Sequence, residues 1–177
     1  VLSGQQHGAR FDRAVRRGRV WAVANQAGVT SQAGLSATTP VLTIANPPES
    51  GVRGKLWMAS FASEVAFAAG AIVYLAKGAY SATAVTGTLT TAQRNLRGGA
   101  AGPMSVIRNF LAATLPVAPV AIDILGSYGS GAITVPLAMQ PFKVWYDGAV
   151  VIGEGEIITI QTSSASGTSG SWYSFIY

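Results

Sequence analysis

The stretch GEGEIITIQTSSASGTSGSWYSFIY, residues 153–177, decides how this chain folds. β-branched and aromatic residues dominate EIITIQT and SWYSFIY, and clusters of Gly, Ser and Thr bound both segments. That combination is typical of β-strands. We therefore predict a strand over 157–162, a Ser- and Gly-rich connection, and a last strand over 171–177. Ile158 and Ile160 should face the core.

The two glutamates at the start of this stretch could be a reactive pair. Glycosidases use two carboxylates that flank the bond to be cut. Glu154 and Glu156 share one parity, so an extended chain would point both side chains the same way. However, they lie between glycines at the tip of a predicted hairpin, where solvent keeps the pKa of a carboxyl near its ordinary value. We interpret them as the polar tip of a turn and expect no catalytic residues.

Short strands continue along the rest of the chain, with turn residues about every ten positions. They are predicted at 19–26, 40–48, twice within 55–77, at 82–89, at 120–125, from Ala132, and at 142–146 and 149–152, the last two separated by a turn at DG. Residues 103–116 carry apolar residues at helical spacing, so either a short helix or an irregular buried loop is expected there. Since strands dominate without a βα alternation, the fold class is all-β, a sandwich or a barrel, with an extended basic N-terminal arm.

A chain of 177 residues suits one domain with an arm. We place the arm at 1–19 and a single β-sandwich domain at 20–177. The polar, arginine-rich start predicts no signal peptide.

One apolar segment, Leu56–Ala76, has the length of a membrane-spanning helix. Glu64 falls in its middle, and a central acid costs roughly 2.5 kcal/mol or more on insertion scales. Most of the bulkier residues also fall on odd positions (Trp57, Phe61, Val65, Phe67, Val73 and Leu75), which is the period of strands. We predict two strands with a turn near 68–71 and no membrane contact. Two interpretations of Glu64 stay open: it faces solvent, or it meets an arginine across a subunit contact.

Composition excludes several kinds of chemistry. The chain has no cysteine and a single histidine, His7, so disulfides, thiolate metal sites and histidine-based triads are not expected. We expect no metal and no cofactor. Charged residues make up 11% of the chain, against about 25% in ordinary domains. A monomer with so few charges would expose large apolar patches, which favours a subunit of a permanent assembly.

Charge is concentrated in ARFDRAVRRGRVW, which spans Ala9–Trp21. The segment carries five arginines against Asp12: Arg10, Arg13, Arg16, Arg17 and Arg19. Three interpretations are open: an arm that docks on an acidic protein surface through bidentate bonds, a solvated tail, or a nucleic-acid contact. Few aromatic residues lie nearby to stack on bases, so we favour protein docking over nucleic acid.

Two long stretches resemble a known class of protein. YDGAVVIGEGEIITIQTSSASGTSGSWYSFIY and ATTPVLTIANPPESGVRGKLWMASFASEVAFAAGAIVYLA are similar to trimeric jelly-roll proteins on tailed-phage virions, which include capsid decoration, or cement, proteins. The resemblance covers 35–177. It implies an antiparallel, jelly-roll-like β-sandwich. It also implies a homotrimer on the capsid surface of the virion that bridges subunits of the major capsid protein, with no catalytic residues. The five arginines of the arm would then be capsid contacts.

The alternative function is a receptor- or glycan-binding head of a phage tail fibre. Such a head needs exposed aromatic residues grouped at one end, for which the candidates are Tyr128, Trp145, Tyr146 and Trp172. We expect these four in the core instead.

Overall fold

The computed structural model describes residues 2–38, 40–67, 69–79, 85–90, 93–98, 106–129 and 141–177, with side chains from Gly8 onward. These ranges hold one helix and eleven strands. They are α1 (Leu2–Arg16), β1 (Trp21–Ala24), β2 (Leu42–Asn46), β3 (Gly54–Ser63), β4 (Ala71–Ala79), β5 (Thr86–Leu89), β6 (Arg94–Asn95), β7 (Arg108–Thr114), β8 (Val120–Tyr128), β9 (Phe142–Ile152), β10 (Glu156–Thr162) and β11 (Ser171–Ile176).

The strands form two antiparallel sheets packed face to face, in the orders β6-β1-β11-β3-β9 and β5-β7-β2-β10-β4-β8. The first four strands pair with the last four in mirror order: β1 with β11, β2 with β10, β3 with β9, and β4 with β8. Within each of these two groups of four, successive strands also alternate between the two sheets, as in a jelly roll. The predicted all-β, jelly-roll-like sandwich is confirmed. Strands β5 to β7 form an insertion that widens both sheets at one edge.

The main core fills the space between the sheets with aliphatic and aromatic side chains. At its centre the rings of Phe61 and Tyr173 meet edge-on, with centroids 4.9 Å apart. Ile158 and Ile160 are buried in the same core, as predicted from the closing stretch. Alternate residues of β11, from Tyr173 to Tyr177, face this core because a strand points successive side chains to opposite sides.

The six-stranded sheet is also covered on its outer face. The segment from Gly28 to Thr38 crosses it, and the side-chain amide of Gln161 holds this segment through the backbone of Ser36. Gly34 N–H donates to the carbonyl of Thr162 at 2.7 Å. Strand β10 is therefore buried on both faces, and Ile157 packs in a second, smaller cluster with Phe110.

Residues 108–114 form strand β7, so the expectation of a helix or an irregular loop over 103–116 is wrong in its described part. Antiparallel pairing with β2 satisfies the backbone of β7, for example between Ile44 and Asn109. Phe110 enters the smaller cluster and Leu111 packs against the main core. Neighbouring side chains thus point to opposite faces, which the apolar spacing did not reveal.

The predicted turn at DG is a bulge within one long strand. Strand β9 runs without a break, although Asp147 and Gly148 have positive φ angles of 50° and 77°. Leu56 pairs with Val150 and Met58 with Trp145, so one residue of β3 faces four of β9. The positive φ angles that predict a tight turn are used here to bend a strand.

Leu56–Ala76 contributes to strands β3 and β4, which confirms the prediction of two strands there. Within the described ranges no helix has the length and apolarity needed to cross a membrane. The strand predicted from Ala132 lies outside the described residues, as does the first part of the one predicted at 82–89. The described part of the latter is β5.

Candidate functional site

The N-terminal arm is a helix packed on the outer face of the five-stranded sheet. The ring of Phe11 lies edge-on to Trp57 of β3 at 5.3 Å and to Trp145 of β9 at 6.0 Å. Trp145 belongs to the outer face because Val144 and Tyr146, its neighbours along the strand, pack against the core. Aromatic pairs of this geometry contribute about 0.5–1.5 kcal/mol beyond their buried area. The arm is thus held against the sandwich.

The end of α1 is fixed by a glycine cap. Gly18, at a φ of 67°, donates to the carbonyl of Val15 at 2.8 Å, and Arg19 N–H donates to that of Ala14 at 3.0 Å. This pair of bonds is a Schellman motif, for which glycine is the preferred residue. Asn95 of β6 donates its side-chain N–H to the Gly18 carbonyl at 2.8 Å. The orientation between helix and sheet is therefore set by hydrogen bonds at the joint.

All five arginines of the arm are exposed, but they divide into two groups. Arg16 pairs with Asp12 at 2.8 Å, and such a solvated i,i+4 pair contributes little to stability. Arg13 and Arg17, one helical turn apart, have no acidic partner within the described residues. Arg10 and Arg19 instead line a groove between the helix and the sheet. The arm thus presents an exposed basic face and one wall of a cavity.

The groove has a volume of about 780 Å³. Its lining brings together α1, the start of β1, the start of β3, the bulge of β9 and the residues before β7. The lining side chains are Arg10, Ala14, Arg19, Trp21, Val52, Arg53, Lys55, Trp57, Val106, Ile107 and Asp147, with Gly54 between them. We call this cavity the basic groove, because four cations line it against one carboxylate.

The segment VRGKLW, which runs into β3, supplies the second pair of cations. Gly54 is buried between Arg53 and Lys55, and a Cβ there would lie 2.6 Å from the Cδ1 of Ile107. Glycine therefore lets the chain before β7 pack closely while its two neighbours extend into the groove. The stem of Lys55 runs over Gly148 in the β9 bulge.

The four cations have no ion-pair partner within the described part of the chain. The two ion pairs found there join Arg16 to Asp12 and Lys77 to Glu156. Unpaired guanidinium groups on two sides of a cavity attract anions, and arginine binds carboxylate or phosphate in a bidentate manner. The groove is therefore suited to hold an anionic group against an apolar wall.

The two glutamates of the closing stretch do not act as a pair. Glu154 is exposed at the turn, whereas Glu156 lies in β10 with its Oε2 2.8 Å from Lys77 Nζ. Burial alone would raise the pKa of Glu156, but the hydrogen bonds from Lys77 and from the Gly153 N–H, with the charge of Lys77, hold it below its ordinary value. The expectation of a near-ordinary pKa is wrong for Glu156. A carboxyl held ionised is a poor general acid.

Glu64 lies just beyond the end of β3 and its side chain is exposed in this chain. Its N–H donates to the carbonyl of Gly170 at 2.8 Å. It therefore lies at a bend rather than within a strand, and its exposure in one chain fits both interpretations.

The four aromatic residues considered for a receptor-binding end lie in different places. Tyr128 packs in the core on Phe142, and Tyr146 is half-buried with its hydroxyl 2.6 Å from Asp123. Trp145 is half-exposed beside Phe11, and Trp172 lines a shallow cavity with Ser60 and Ser174. They do not form one aromatic surface.

Among the described residues, no group of three or more His, Asp or Glu side chains is arranged to hold a metal ion. The side chain of His7 lies outside the described part.

Arg53, Lys55 and Trp57 were not predicted as site residues. The sequence RGKLW shows that these three residues alternate along one strand. However, Arg10 and Arg19, which line the same groove, are more than 30 positions earlier in the chain. A pattern of spacing reports neighbours along one strand, and this site depends on contacts between distant segments.

Comparison with protein-family models, with curated proteins and with solved structures finds no match to this chain. The resemblance to virion proteins stays a prediction.

Proposed function

We propose that this protein is a structural, non-catalytic virion subunit, a decoration protein that binds and bridges subunits of a major capsid protein. The observation that carries the proposal is the placement of α1. Phe11 holds the helix on the sandwich, and Arg13, Arg16 and Arg17 are exposed on it outside the groove. A rigid basic surface loses less conformational entropy on docking than a solvated tail does.

The partner surface should be acidic protein. Guanidinium groups make paired hydrogen bonds to carboxylates, and several such contacts made at once raise retention through effective concentration.

A homotrimer suits the sheet surface that α1 leaves uncovered. The sides of β1 and β11 that face away from the core carry small or apolar, half-buried residues such as Ala22, Ala24, Ser174 and Ile176, and neither strand has a charged residue. Subunit contacts are depleted of charge at their centres. We assign this face to the contact between copies of the chain.

Capsid binding tests the proposal directly. The double variant Arg13→Glu/Arg16→Glu reverses charge on the side of α1 opposite Phe11 and leaves Phe11 in place. We expect its occupancy on bare capsids, measured by co-sedimentation, to fall about tenfold or more. Each arginine–carboxylate pair at the contact would be replaced by two negative charges that repel. Lys143→Glu, an exposed cation on β9, is the matched control and should bind normally. Equal occupancy of all three proteins would overturn the docking role.

The oligomeric state is a second measurement. Light scattering should give the mass of a trimer for the wild-type chain. Ala24→Asp places a charge on the assigned face and should yield monomers, whereas a wild-type monomer would contradict the trimer.

A further inference from the structure

We infer that the basic groove binds a short acidic peptide segment that carries an apolar residue, with Arg10 and Arg19 on one side and Arg53 and Lys55 on the other. The inference deepens the proposed function and rests on it in one respect, which is that the partner is a protein. It concerns a different surface from the docking side of α1.

Charge is the first argument. The four cations come from two directions, the end of α1 and the start of β3, and within the described residues none has an acidic partner. In the isolated chain these four cations repel one another. A ligand with two or more carboxylates would reduce that repulsion. A single carboxylate could reach only one side of the groove.

The shape of the groove indicates a peptide segment. A volume of about 780 Å³ lies within the range of sites that enclose a molecule of a few hundred daltons. The wall between the cations is apolar and includes Val52, Trp57 and Ile107. A ligand with carboxylates at its ends and one apolar side chain between them would match both features.

Nucleic acid fits the groove less well. Single strands bind by stacking bases on open aromatic faces. Trp57 is only 9% exposed, and Trp21 is stacked on Tyr177 with centroids 6.4 Å apart. The same shortage of open ring faces disfavours a sugar ring.

Occupation of the groove would also join two elements. Arg10 belongs to α1, while Arg53 precedes a strand of the sheet. A segment that binds both therefore ties the helix to the sandwich in addition to the contact made by Phe11. Binding should protect the amide hydrogens of α1 from exchange.

The binding test uses the full chain and a capped hexapeptide with four glutamates around a central leucine and valine. The same peptide with glutamines in place of glutamates is the control. Binding is measured by calorimetry and by fluorescence of the tryptophans. We expect the glutamate peptide to bind, the glutamine peptide to bind at least about tenfold more weakly, and the affinity to fall between about 0.05 and 0.5 M salt.

Protein variants assign binding to the groove. Arg19→Gln/Arg53→Gln removes one cation from each side and should weaken peptide binding about tenfold or more. Lys143→Gln, outside the groove, should leave it unchanged. Circular dichroism checks that each variant is folded, and should the double variant unfold, the single variant Lys55→Gln gives the same comparison. The inference is overturned if the peptide does not bind, if the groove variants bind as well as wild type, or if an oligothymidylate binds more tightly than the peptide.

Failure of the inference can be told apart from failure of the proposed function. Arg13→Glu/Arg16→Glu lies on the side of α1 opposite Phe11 and outside the groove lining, so that variant should keep peptide binding. Peptide binding without capsid binding would support the groove and overturn the proposed function. Capsid binding by a chain that does not bind the peptide would support the proposed function and overturn the inference about the groove.

Discussion

The ring of Phe11 meets the indole of Trp57 edge-on, with centroids 5.3 Å apart. This contact joins a helix at the start of the chain to the irregular part of β3, where β9 bulges. It makes the basic arm a packed element and creates one side of the basic groove. The positions of Arg10 and Arg19 therefore depend on an apolar contact rather than on charge.

Phe11→Ala should loosen α1 and expose the two indoles beneath it. Because Phe11 is half-buried, we expect a loss of about 1–2 kcal/mol in the free energy of unfolding, measured in urea. Tryptophan emission should shift to the red, since Trp57 and Trp145 gain solvent. Arg13→Ala, on the exposed side of the same helix, is the control and should change neither quantity. An unchanged spectrum for Phe11→Ala would show that the helix does not depend on this ring.

Gly54→Ala should strain the floor of the groove. The added Cβ would lie 2.6 Å from Ile107 Cδ1 and 3.3 Å from Ile152 Cβ. Overpacking of this kind costs about 1–3 kcal/mol. Ile107→Val removes the nearer methyl group. The double variant Gly54→Ala/Ile107→Val should therefore lose less free energy of unfolding than the sum of the losses in the two single variants. Simple additivity in urea unfolding would contradict the steric explanation.

Glu156→Gln should change the dependence of stability on acid. The pKa of Glu156 is lower in the folded chain than its ordinary value of 4.5, so ionised Glu156 stabilises the fold above that pH. This contribution is lost as pH falls through the folded pKa. The difference in urea midpoint between wild type and Glu156→Gln should be largest near neutrality and should vanish in strong acid. Glu154→Gln, an exposed neighbour with no ion pair among the described residues, is the matched control for removing one carboxylate from this turn.

Tyr146→Phe should weaken the contact between the edge strands β8 and β9. Its hydroxyl donates to Asp123 Oδ2 at 2.6 Å, so its removal should cost about 1 kcal/mol. Burial, then the hydrogen bond to Asp123 and the negative charge of that residue, raise the pKa of Tyr146 above its ordinary value of 10.0. The stability difference from wild type should therefore be constant below pH 10 and should shrink at higher pH, where the unfolded tyrosine ionises.

The control for that experiment is Tyr74→Phe, because the Tyr74 hydroxyl has no hydrogen-bond partner among the described residues. A stability difference of the same size and pH dependence in both variants would show that the Asp123 contact is not the cause.

Local patterns of the sequence predicted much of the sandwich. Strands β2, β3, β4, β10 and β11 were predicted because β-branched and aromatic runs end at glycine, proline or serine clusters. The burial of Ile158 and Ile160 followed from the two-residue period of a strand. The same reasoning failed for 108–114, where apolar spacing suited a helix, and for Asp147–Gly148, where turn residues formed a bulge. In both places pairing with another strand overrode the local preference.

The sequence by itself determined that this chain is an all-β sandwich without cysteine chemistry and with a concentration of arginines at its start. These properties depend on composition and on near neighbours, which can be read along the chain. Only the tertiary structure decided that β1 to β4 pair in mirror order with β11 to β8, that Phe11 anchors the arm, and that Arg10 and Arg19 face Arg53 and Lys55. The reason is physical: these relationships join residues far apart in the chain, and packing between segments sets them rather than the conformational preference of any one segment.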